Sequence, residues 1–390
     1  MSQLSVTVDK EYILSIRHEL HAYPELAFDL PCTTALIRRE LEAMDIPYTE
    51  EYGKSSIVAF LNPSCTARSV ALRADTDALP LTEKTDLPYA SKIPGKMHAC
   101  GHDAHTAMLL GAAKALKPVE SSLSCRVVLI FQACEEGDQS GARLMVEDGV
   151  TDLFDEIVGM HIENWLEVGS AGICPGVSMA ASHPIYIEFF GKSAHASLPQ
   201  SGANALAMAV ETYNGINALQ ATRINPFARY ICSVGMLRAG ETDNVIPDYA
   251  EMMISLRTYD KETESFFVDN IRRIAENAAA IRGGTIAFRD EEKALPLAND
   301  PAVSARVLDA AAKVLGEDKI VTMPQKLSSE DFSFYLSRRP GAFLRLGTRN
   351  AEKGCTTLPH NNDFLLDEDA LPLGSRILAE YILDVKESVK

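Results

Sequence analysis

The sequence contains no long hydrophobic run, and this excludes a membrane-spanning helix of the usual kind. No stretch approaches the roughly 18 uninterrupted apolar residues that such a helix requires. Residues 1–20 also lack the pattern of a secretory signal, in which basic residues precede an apolar run that ends in small residues. We therefore predict a soluble protein that resides in the cytoplasm and has no membrane partner.

Clustered basic residues and paired cysteine spacings are also lacking. A net charge of -17 at pH 7 disfavours binding to nucleic acid, because phosphate binding needs groups of Lys and Arg. The eight cysteines are scattered along 390 residues, which argues against a disulfide framework. We therefore expect reduced, mostly buried thiols and a small-molecule substrate.

What the sequence does contain is an alternation of strand-like and helical patterns that is interrupted once. Up to about residue 180, apolar runs such as SVALRA, CRVVLIF and EIVGMHI alternate with helical spacing, and a similar mixture returns near the C-terminus. Between them lies a strand, helix, strand, strand, helix order closed by TIAFRD. We predict an α/β fold with a mostly parallel-sheet domain over 1–180 and 292–390, and an inserted α+β domain over 181–291.

The segment MHACGHDAHT, residues 97–106, places three His, one Cys and one Asp just before a predicted helix. The thiolate of Cys100 and the imidazole of His102 flank Gly101 and can turn toward one point, and both groups are ligands for zinc-like metals. The alternative is a helix N-terminus at which Asp103 is the cap and the histidines face solvent. That alternative leaves Cys100 unexplained, so the metal site is favoured.

Two adjacent carboxylates, Glu135 and Glu136, follow the apolar strand RVVLIF. Like charges side by side repel each other unless a cation lies between them or one is protonated. A divalent metal would supply that cation, with one carboxylate as its ligand and the other free to move a proton. A solvated loop pair is an equally simple interpretation of this segment alone.

Three further polar residues follow or end predicted strands. His161 ends EIVGMHI, His360 follows the GAFLRLG strand, and Asp75 follows SVALRA. In open α/β sheets, ligands bind beyond the carboxyl ends of the strands, which favours both histidines as further metal ligands. We expect Asp75 to orient a ligand imidazole, and Arg73 and Asp77 to share its buried network. Taken alone, each histidine is more typical of a structural residue.

With these residues in view, the chain resembles the M20 family of metallopeptidases and amidohydrolases, and within it the aminoacylase and indole-acetyl-amino-acid hydrolase branch. The resemblance spans nearly the whole chain, and HACGHD is its most specific motif. The other motifs occur in family order: RHELHAYPELAF, RADTDALP, EEG, GMH, GKSAHASLP, NVIPD, SEDFSFY, PGAFLRLGT and the PH of 359–360.

The resemblance implies a metal-dependent hydrolase of N-acyl amino acids or small peptides, built as a catalytic domain with an inserted lid and dimerisation domain. It implies a homodimer or higher homo-oligomer and two divalent ions per subunit, zinc, manganese or cobalt. The implied general base is Glu135, and the implied oxyanion-stabilising histidine is His195. Asn244, Arg257 and Gly341 would grip the substrate. The implied metal ligands are Cys100, His102, Glu136, His161 and His360.

The chain departs from the family pattern at three places, one of which is HIENWLEVG, where relatives more commonly have a segment rich in Trp and Pro. Ala133 and Cys134 stand where the family usually has a Pro-Ala pair, and His183 stands where relatives usually have Asp. Two rival hypotheses remain besides a dipeptidase or carboxypeptidase of the same fold. One is a metal-free cysteine hydrolase that uses Cys100 or Cys134. The other is a binding protein without catalytic activity, because fold alone does not fix function.

Overall fold

The computed structural model describes residues 5–386. Residues 1–4 and 387–390 lie outside the described residues. Both ranges belong to the domain predicted over 1–180 and 292–390, and residues 1–4 also belong to the segment that was inspected for a secretory signal. Among residues 5–386, every helix is too short or too polar to cross a membrane. All eight cysteines fall in this range, and none of them is in a disulfide.

The helices and strands alternate along most of the chain. The helices are α1 Lys10–Ala22, α2 Pro31–Ala43, α3 His102–Leu116, α4 Gly141–Glu147, α5 Ala205–Thr222, α6 Lys261–Ile281, α7 Pro301–Leu315, α8 Ser333–Leu336 and α9 Ala370–Asp384. The strands are β1 Tyr48–Thr49, β2 Ile57–Leu61, β3 Ser69–Asp75, β4 Arg126–Gln132, β5 Glu156–Glu167, β6 Ala171–Ile173, β7 Gly176–Met179, β8 Ala181–Ser182, β9 Ile185–Phe190, β10 Ala194–His195, β11 Tyr230–Ala239, β12 Val245–Ile246, β13 Tyr249–Thr258, β14 Thr285–Asp290, β15 Leu297–Asn299, β16 Ile320–Thr322 and β17 Gly341–Arg349.

The described chain divides into two compact units. The first comprises the residues up to Ser178, Ala298–Gln325 and the residues from Asp331, and the second comprises Met179–Leu297 and Lys326–Glu330. The inserted domain predicted at 181–291 falls within the second unit. Its role as a lid and dimerisation domain stays a prediction.

An eight-stranded sheet in the order β1-β2-β4-β3-β5-β17-β6-β16 forms the centre of the first unit. The central strands β4, β3, β5 and β17 pair in parallel, which confirms the predicted mostly parallel sheet. These strands are buried almost throughout, because a parallel sheet covered on both faces needs apolar residues on both sides of each strand. Because these four strands run in the same direction, their carboxyl ends meet at one edge of the sheet.

Helix α3 is the most deeply buried helix of this unit, and only Lys114 in it is not buried. It packs against α1, α9 and β3, and a side chain at Gly111 would meet Ile13 Cγ1 of α1 at 2.5 Å. Such a close approach requires glycine at that position. The packing fixes the N-terminus of α3, where Cys100 and His102 lie.

The second unit has an antiparallel sheet in the order β11-β13-β9-β14. Strand β9, IYIEFF, alternates buried and more exposed residues as a sheet with one covered face should. Helices α5 and α6 pack on the covered face, with Met208 and Phe267 in a common core. This confirms the predicted α+β character of the insertion.

Candidate metal centre

Cys100 and His102 are held at the N-terminus of α3 by a backbone turn that only glycine accommodates easily. Gly101 between them has a φ of +87°, and a Cβ there would lie 2.6 Å from Ile162 Cγ1. The turn lets both side chains enter the buried interior, where Cys100 is 8% exposed and His102 is 0% exposed. The spacing seen in the sequence thus produces two converging side chains.

The five residues predicted as metal ligands all lie in the first unit, and the structure brings them together. Cys100 Sγ lies 3.5 Å from His161 Nε2, and His360 Nε2 lies 3.0 Å from Glu136 Oε1. Overlapping sets of possible ligand atoms, each set within 4.8 Å of one another, include Cys100 with His102 and His161, Cys100 with Glu136 and His360, His102 with Glu135 and Glu136, and Asp75 with His102 and His105.

The hydrogen bonding of the histidines suits a metal. Neither ring nitrogen of His102 has a hydrogen-bond partner within the described part of the chain, although both are buried. Nδ1 lies 3.4 Å from Asp77 Oδ1 and Nε2 lies 3.7 Å from Asp75 Oδ2, so the ring faces carboxylates, and neither nitrogen is committed to a hydrogen bond that a metal would have to replace. His161 donates from Nδ1 to the carbonyl oxygen of Ile162 at 2.6 Å, which leaves Nε2 facing Cys100. Such an anchored second nitrogen is typical of metal-binding histidines.

The electrostatics of the cluster also call for a cation. Burial raises the pKa of the Cys100 thiol, and the nearby Glu136 carboxylate raises it further. A thiolate at this position therefore needs a positive charge beside it. Burial also holds the pKa of His161 well below its usual value, so its ring is neutral, which is the form that binds a metal. The donor set of one thiol, three imidazoles and one carboxylate fits zinc-like ions.

Asp77 fixes the loop that carries Glu135 and Glu136 by hydrogen bonds to its backbone. Its carboxylate accepts the backbone N–H of Glu135 at 3.0 Å and that of Glu136 at 3.1 Å. Cys134, immediately before them, has a φ of +57°, a conformation that non-glycine residues adopt only where the surroundings enforce it. Asp77 and this turn together set the direction of both carboxylates.

The carboxylate of Asp75 lies among Arg73 and two buried histidines. Its Oδ1 accepts a hydrogen bond from His105 Nδ1 at 2.6 Å, and its Oδ2 accepts one from Arg73 at 2.7 Å. His102 Nε2 is 3.7 Å away, beyond hydrogen-bond distance. His105 Nε2 in turn accepts the backbone N–H of Ile162. Asp75 therefore holds His105, which packs beside His161, by a hydrogen bond and lies at ion-pair distance from His102, so its role in orienting a ligand imidazole stays a prediction.

Sequence reasoning missed the importance of Asp331. Its buried carboxylate accepts hydrogen bonds from Arg73, Gln132, Ser140 and the backbone of Ala142 at 2.7–3.1 Å. It thus ties the end of β4 and the start of α4, which flank the glutamate loop. The sequence contained one signal for this buried network. A polar residue lies within or at the end of each of two apolar strands, Arg73 in β3 and Gln132 in β4.

Gly341 lies at the opposite end of its strand from the residue that pairs with His161, and its predicted part in gripping the substrate stays a prediction. Gly341 begins β17 and pairs with Ile157, whereas Arg345 of the same strand pairs with His161. Gly341 and Arg345 are four residues apart on an extended strand, which corresponds to roughly 13 Å along the strand. A side chain at Gly341 would meet Ile157 O at 2.4 Å, so this glycine serves strand packing at the amino end.

His195, Asn244 and Arg257 lie in the second unit, so their predicted roles stay predictions. Strand β10 pairs with β12, and the backbone N–H of Ala196 donates to Asn244 O at 2.9 Å, which places His195 and Asn244 side by side. The exposed His195 accepts the backbone N–H of Ser197 at Nδ1, which leaves Nε2 as the ring nitrogen that can donate. Arg257 donates to Ser329 Oγ at 2.6 Å.

The fold and the clustered donors define a metal-dependent hydrolase, and the sequence comparison agrees. Residues 71–384 match Peptidase family M20/M25/M40, and the chain belongs to that family. It is a metal-dependent enzyme that hydrolyses amide bonds. This overturns the hypothesis of a protein without catalytic activity.

Its relatives cover almost its full length. Thermostable carboxypeptidase 1 of Saccharolobus solfataricus is 36% identical over 98% of this chain and 96% of its own. N-acetyl-L-cysteine deacetylase of Bacillus subtilis is 35% identical over 98% of this chain and 91% of its own. The crystal structure of a Bacillus subtilis dinuclear metal-binding peptidase of the M20 family superposes with a TM-score of 0.81, at 35% identity over 96% of this chain and 97% of that one.

Proposed function

We propose that the enzyme hydrolyses N-acyl amino acids to a carboxylic acid and a free amino acid. The observation that carries the proposal is the convergence of Cys100, His102, Glu136, His161 and His360 next to Glu135. The naming of a deacetylase and a carboxypeptidase among the relatives supports a substrate with a free carboxylate beside the amide. A carboxypeptidase or dipeptidase activity is the second candidate, which the first of these relatives favours.

We assign two divalent ions to the five ligands in each subunit, with zinc, manganese and cobalt as the candidate metals. Bound there, such ions would polarise the amide carbonyl and make a water molecule more acidic. The mixed thiolate, imidazole and carboxylate donors suit any of the three metals. Which of them the enzyme binds in the cell therefore depends on metal availability, and metal analysis of the purified enzyme identifies it. We also propose that the enzyme acts in the cytoplasm, where Cys100 stays reduced, as a homodimer or higher oligomer.

The protein groups divide the remaining work. Glu135 takes a proton from the attacking water and delivers it to the leaving nitrogen. His195 donates from Nε2 to the developing oxyanion. Arg257 and Asn244 hold the substrate carboxylate, for which the planar guanidinium is the natural partner. Because Asp77 fixes the backbone of Glu135, the base needs little reorganisation during the reaction.

The base is tested by Glu135→Gln, which keeps the shape but removes the proton acceptor. We expect the metal content of the variant to match the wild type while kcat falls by about 10²–10⁴-fold. Metal analysis and initial rates with an N-acetyl amino acid measure both quantities. Glu51→Gln, at an exposed loop glutamate, is the matched control. A Glu135→Gln variant that turns over at a near-normal rate would contradict the assignment.

The substrate class is tested with a panel of N-acetyl amino acids, longer N-acyl amino acids and dipeptides, each paired with its C-terminal carboxamide. We expect the carboxylates to be hydrolysed and the carboxamides to lose most of kcat/KM, because Arg257 would lose its charged partner. Equal rates for both forms would refute carboxylate recognition. Faster hydrolysis of the dipeptides than of every N-acyl amino acid would favour the peptidase.

The metal-free cysteine hydrolase is tested with chelator and alkylator. Cys134 is 1% exposed, its thiol donates to Gln139 O at 2.9 Å, and burial raises its pKa to about 12. A thiol in that state is a poor nucleophile near neutral pH. We expect activity to disappear with chelator and to return with metal. Activity that survives complete metal removal and is lost on alkylation would restore the rival.

A further inference from the structure

A second group of possible metal ligands lies in the second unit, far along the chain from the catalytic cluster. His183 follows β8, Glu264 lies in the first turn of α6, and Glu292 follows β14. One ligand atom from each of the three lies within 4.8 Å of the others. None of them belongs to the site described above.

The hydrogen bonding of His183 is that of a metal-binding histidine. Its Nε2 lies 2.9 Å from Asp290 Oδ2, while its Nδ1 lies 3.3 Å from Glu264 Oε1 but forms no well-aligned hydrogen bond with any group among residues 5–386. The residue is only 6% exposed, so water does not readily satisfy Nδ1. A carboxylate that holds one ring nitrogen while the other faces further carboxylates is the usual arrangement behind a zinc-bound imidazole.

Glu264 presents a second unsatisfied atom in the same place. The residue is 1% exposed, and its Oε2 finds no hydrogen-bond partner in the part of the chain that the structure describes. Its Oε1 lies 3.3 Å from His183 Nδ1. Two ligands held at about 2.1 Å from a tetrahedral zinc are roughly 3.4 Å apart, so this pair already has the required spacing.

A cationic group already lies between the two carboxylates. The ammonium of Lys261 contacts Glu264 and lies 2.6 Å from Glu292 Oε1. Its side chain is 64% exposed, so it can turn into solvent without losing buried packing. A divalent ion in its place would balance both carboxylate charges.

We propose that His183, Glu264 and Glu292 bind a zinc ion, with water as the fourth ligand and Asp290 orienting the imidazole. The ion would be structural, because it joins α6 to the two segments by which the chain enters and leaves the unit. Those segments are already paired, since Ser182 N–H donates to Ala294 O at 2.9 Å and Lys293 N–H donates to Ser182 O at 2.8 Å.

Zinc and a proton compete for the same nitrogen of His183. Burial alone would lower the pKa of His183, but its contacts with Glu264 and Asp290 outweigh burial and raise it. The other charged groups that face this position are Lys261, Glu292 and Arg272, which lies 3.2 Å from Asp290.

The first test is the zinc content of the whole enzyme after it is equilibrated with zinc sulfate and separated from free metal. The catalytic cluster is unaltered in every variant, so its zinc is a constant background. We expect His183→Gln and Glu264→Gln each to hold one equivalent less than the wild type. Wild-type zinc content in both variants would overturn the proposal.

The second test does not depend on a loss, which misfolding could also cause. Lys261→Ala removes the competing ammonium, so we expect the weakest class of zinc site, measured by competition with a fluorescent chelator, to tighten by about tenfold or more. Lys192→Ala, an exposed lysine of the same unit, should leave that affinity unchanged. If Lys261→Ala binds zinc as weakly as the wild type, or more weakly, then His183, Glu264 and Glu292 form an ion-pair network that binds a proton and no zinc.

Discussion

The sharpest test of the site concerns Asp77, which holds the glutamate loop without contacting substrate in the proposed mechanism. The carboxylate accepts one backbone N–H on each oxygen, from Glu135 and Glu136, and its Oδ1 also lies 3.4 Å from His102 Nδ1. Asp77→Asn replaces one of these oxygens with an NH₂ group, which cannot accept a hydrogen bond. One buried backbone donor then faces another donor, in a position where Asp77 is only 1% exposed.

The expected size of the effect follows from these contacts. Losing one hydrogen bond to a charged, buried acceptor costs about 1.5–3 kcal/mol of stability. The loop can relieve the conflict by moving, and a displacement of about 1 Å at a catalytic group costs on the order of 100-fold in rate. We therefore expect Asp77→Asn to lose about 1.5–3 kcal/mol in the free energy of unfolding and about 100-fold in kcat.

Urea unfolding gives the stability, and initial rates at saturating metal and substrate give kcat. Asp86→Asn, an exposed loop residue a few positions further along the chain, controls for the loss of one negative charge. An Asp77→Asn enzyme with kcat within about threefold of the wild type, and stability within about 0.5 kcal/mol, would refute the positioning role.

Two further changes test the packing around the site. Gly141→Ala would place a Cβ 1.7 Å from Ala133 O, so we expect a loss of about 3 kcal/mol or more in urea unfolding, and a neutral result would contradict the tight α4 junction. Asp103→Asn keeps an acceptor oxygen for the buried Arg17 and His21, which both contact Asp103 Oδ2, but removes the negative charge that they share, and should cost about 3–5 kcal/mol. Burial lowers the pKa of His21, but hydrogen bonds to Asp103 and Glu83 raise it overall. Its stabilisation is therefore complete below about pH 6.5 and declines as pH rises through the raised pKa, so the wild-type advantage should be largest in acid and shrink toward alkaline pH.

The sequence was sufficient for the elements and for most of the cluster. Period and composition predicted the parallel strands, and HACGHD predicted two converging ligands because the glycine between Cys100 and His102 allows the left-handed turn that brings both side chains to one place. His161 and His360 could be added because parallel strands bring their carboxyl ends to one edge. These inferences needed only local pattern and strand direction.

What remained hidden depends on register and on contacts across the chain. Asp331 reaches Arg73 across 258 residues, and no periodicity reports such a contact. The level of Gly341 along its strand follows from its pairing with Ile157, which the sequence does not state. Asp75 had two histidines within reach, and only the geometry shows that it bonds to His105 and not to His102.

The predicted metal ligands come from residue 100 at one extreme and residue 360 at the other, and α3, whose N-terminus carries the first of them, packs against α1 and α9. During synthesis, His360 and α9 leave the ribosome near the end of translation. The growing chain therefore cannot present the complete donor set until nearly all of it has been made. Metal loading is in this sense a late event, and an enzyme truncated before residue 360 would be unable to become active even if its first strands and helices folded normally.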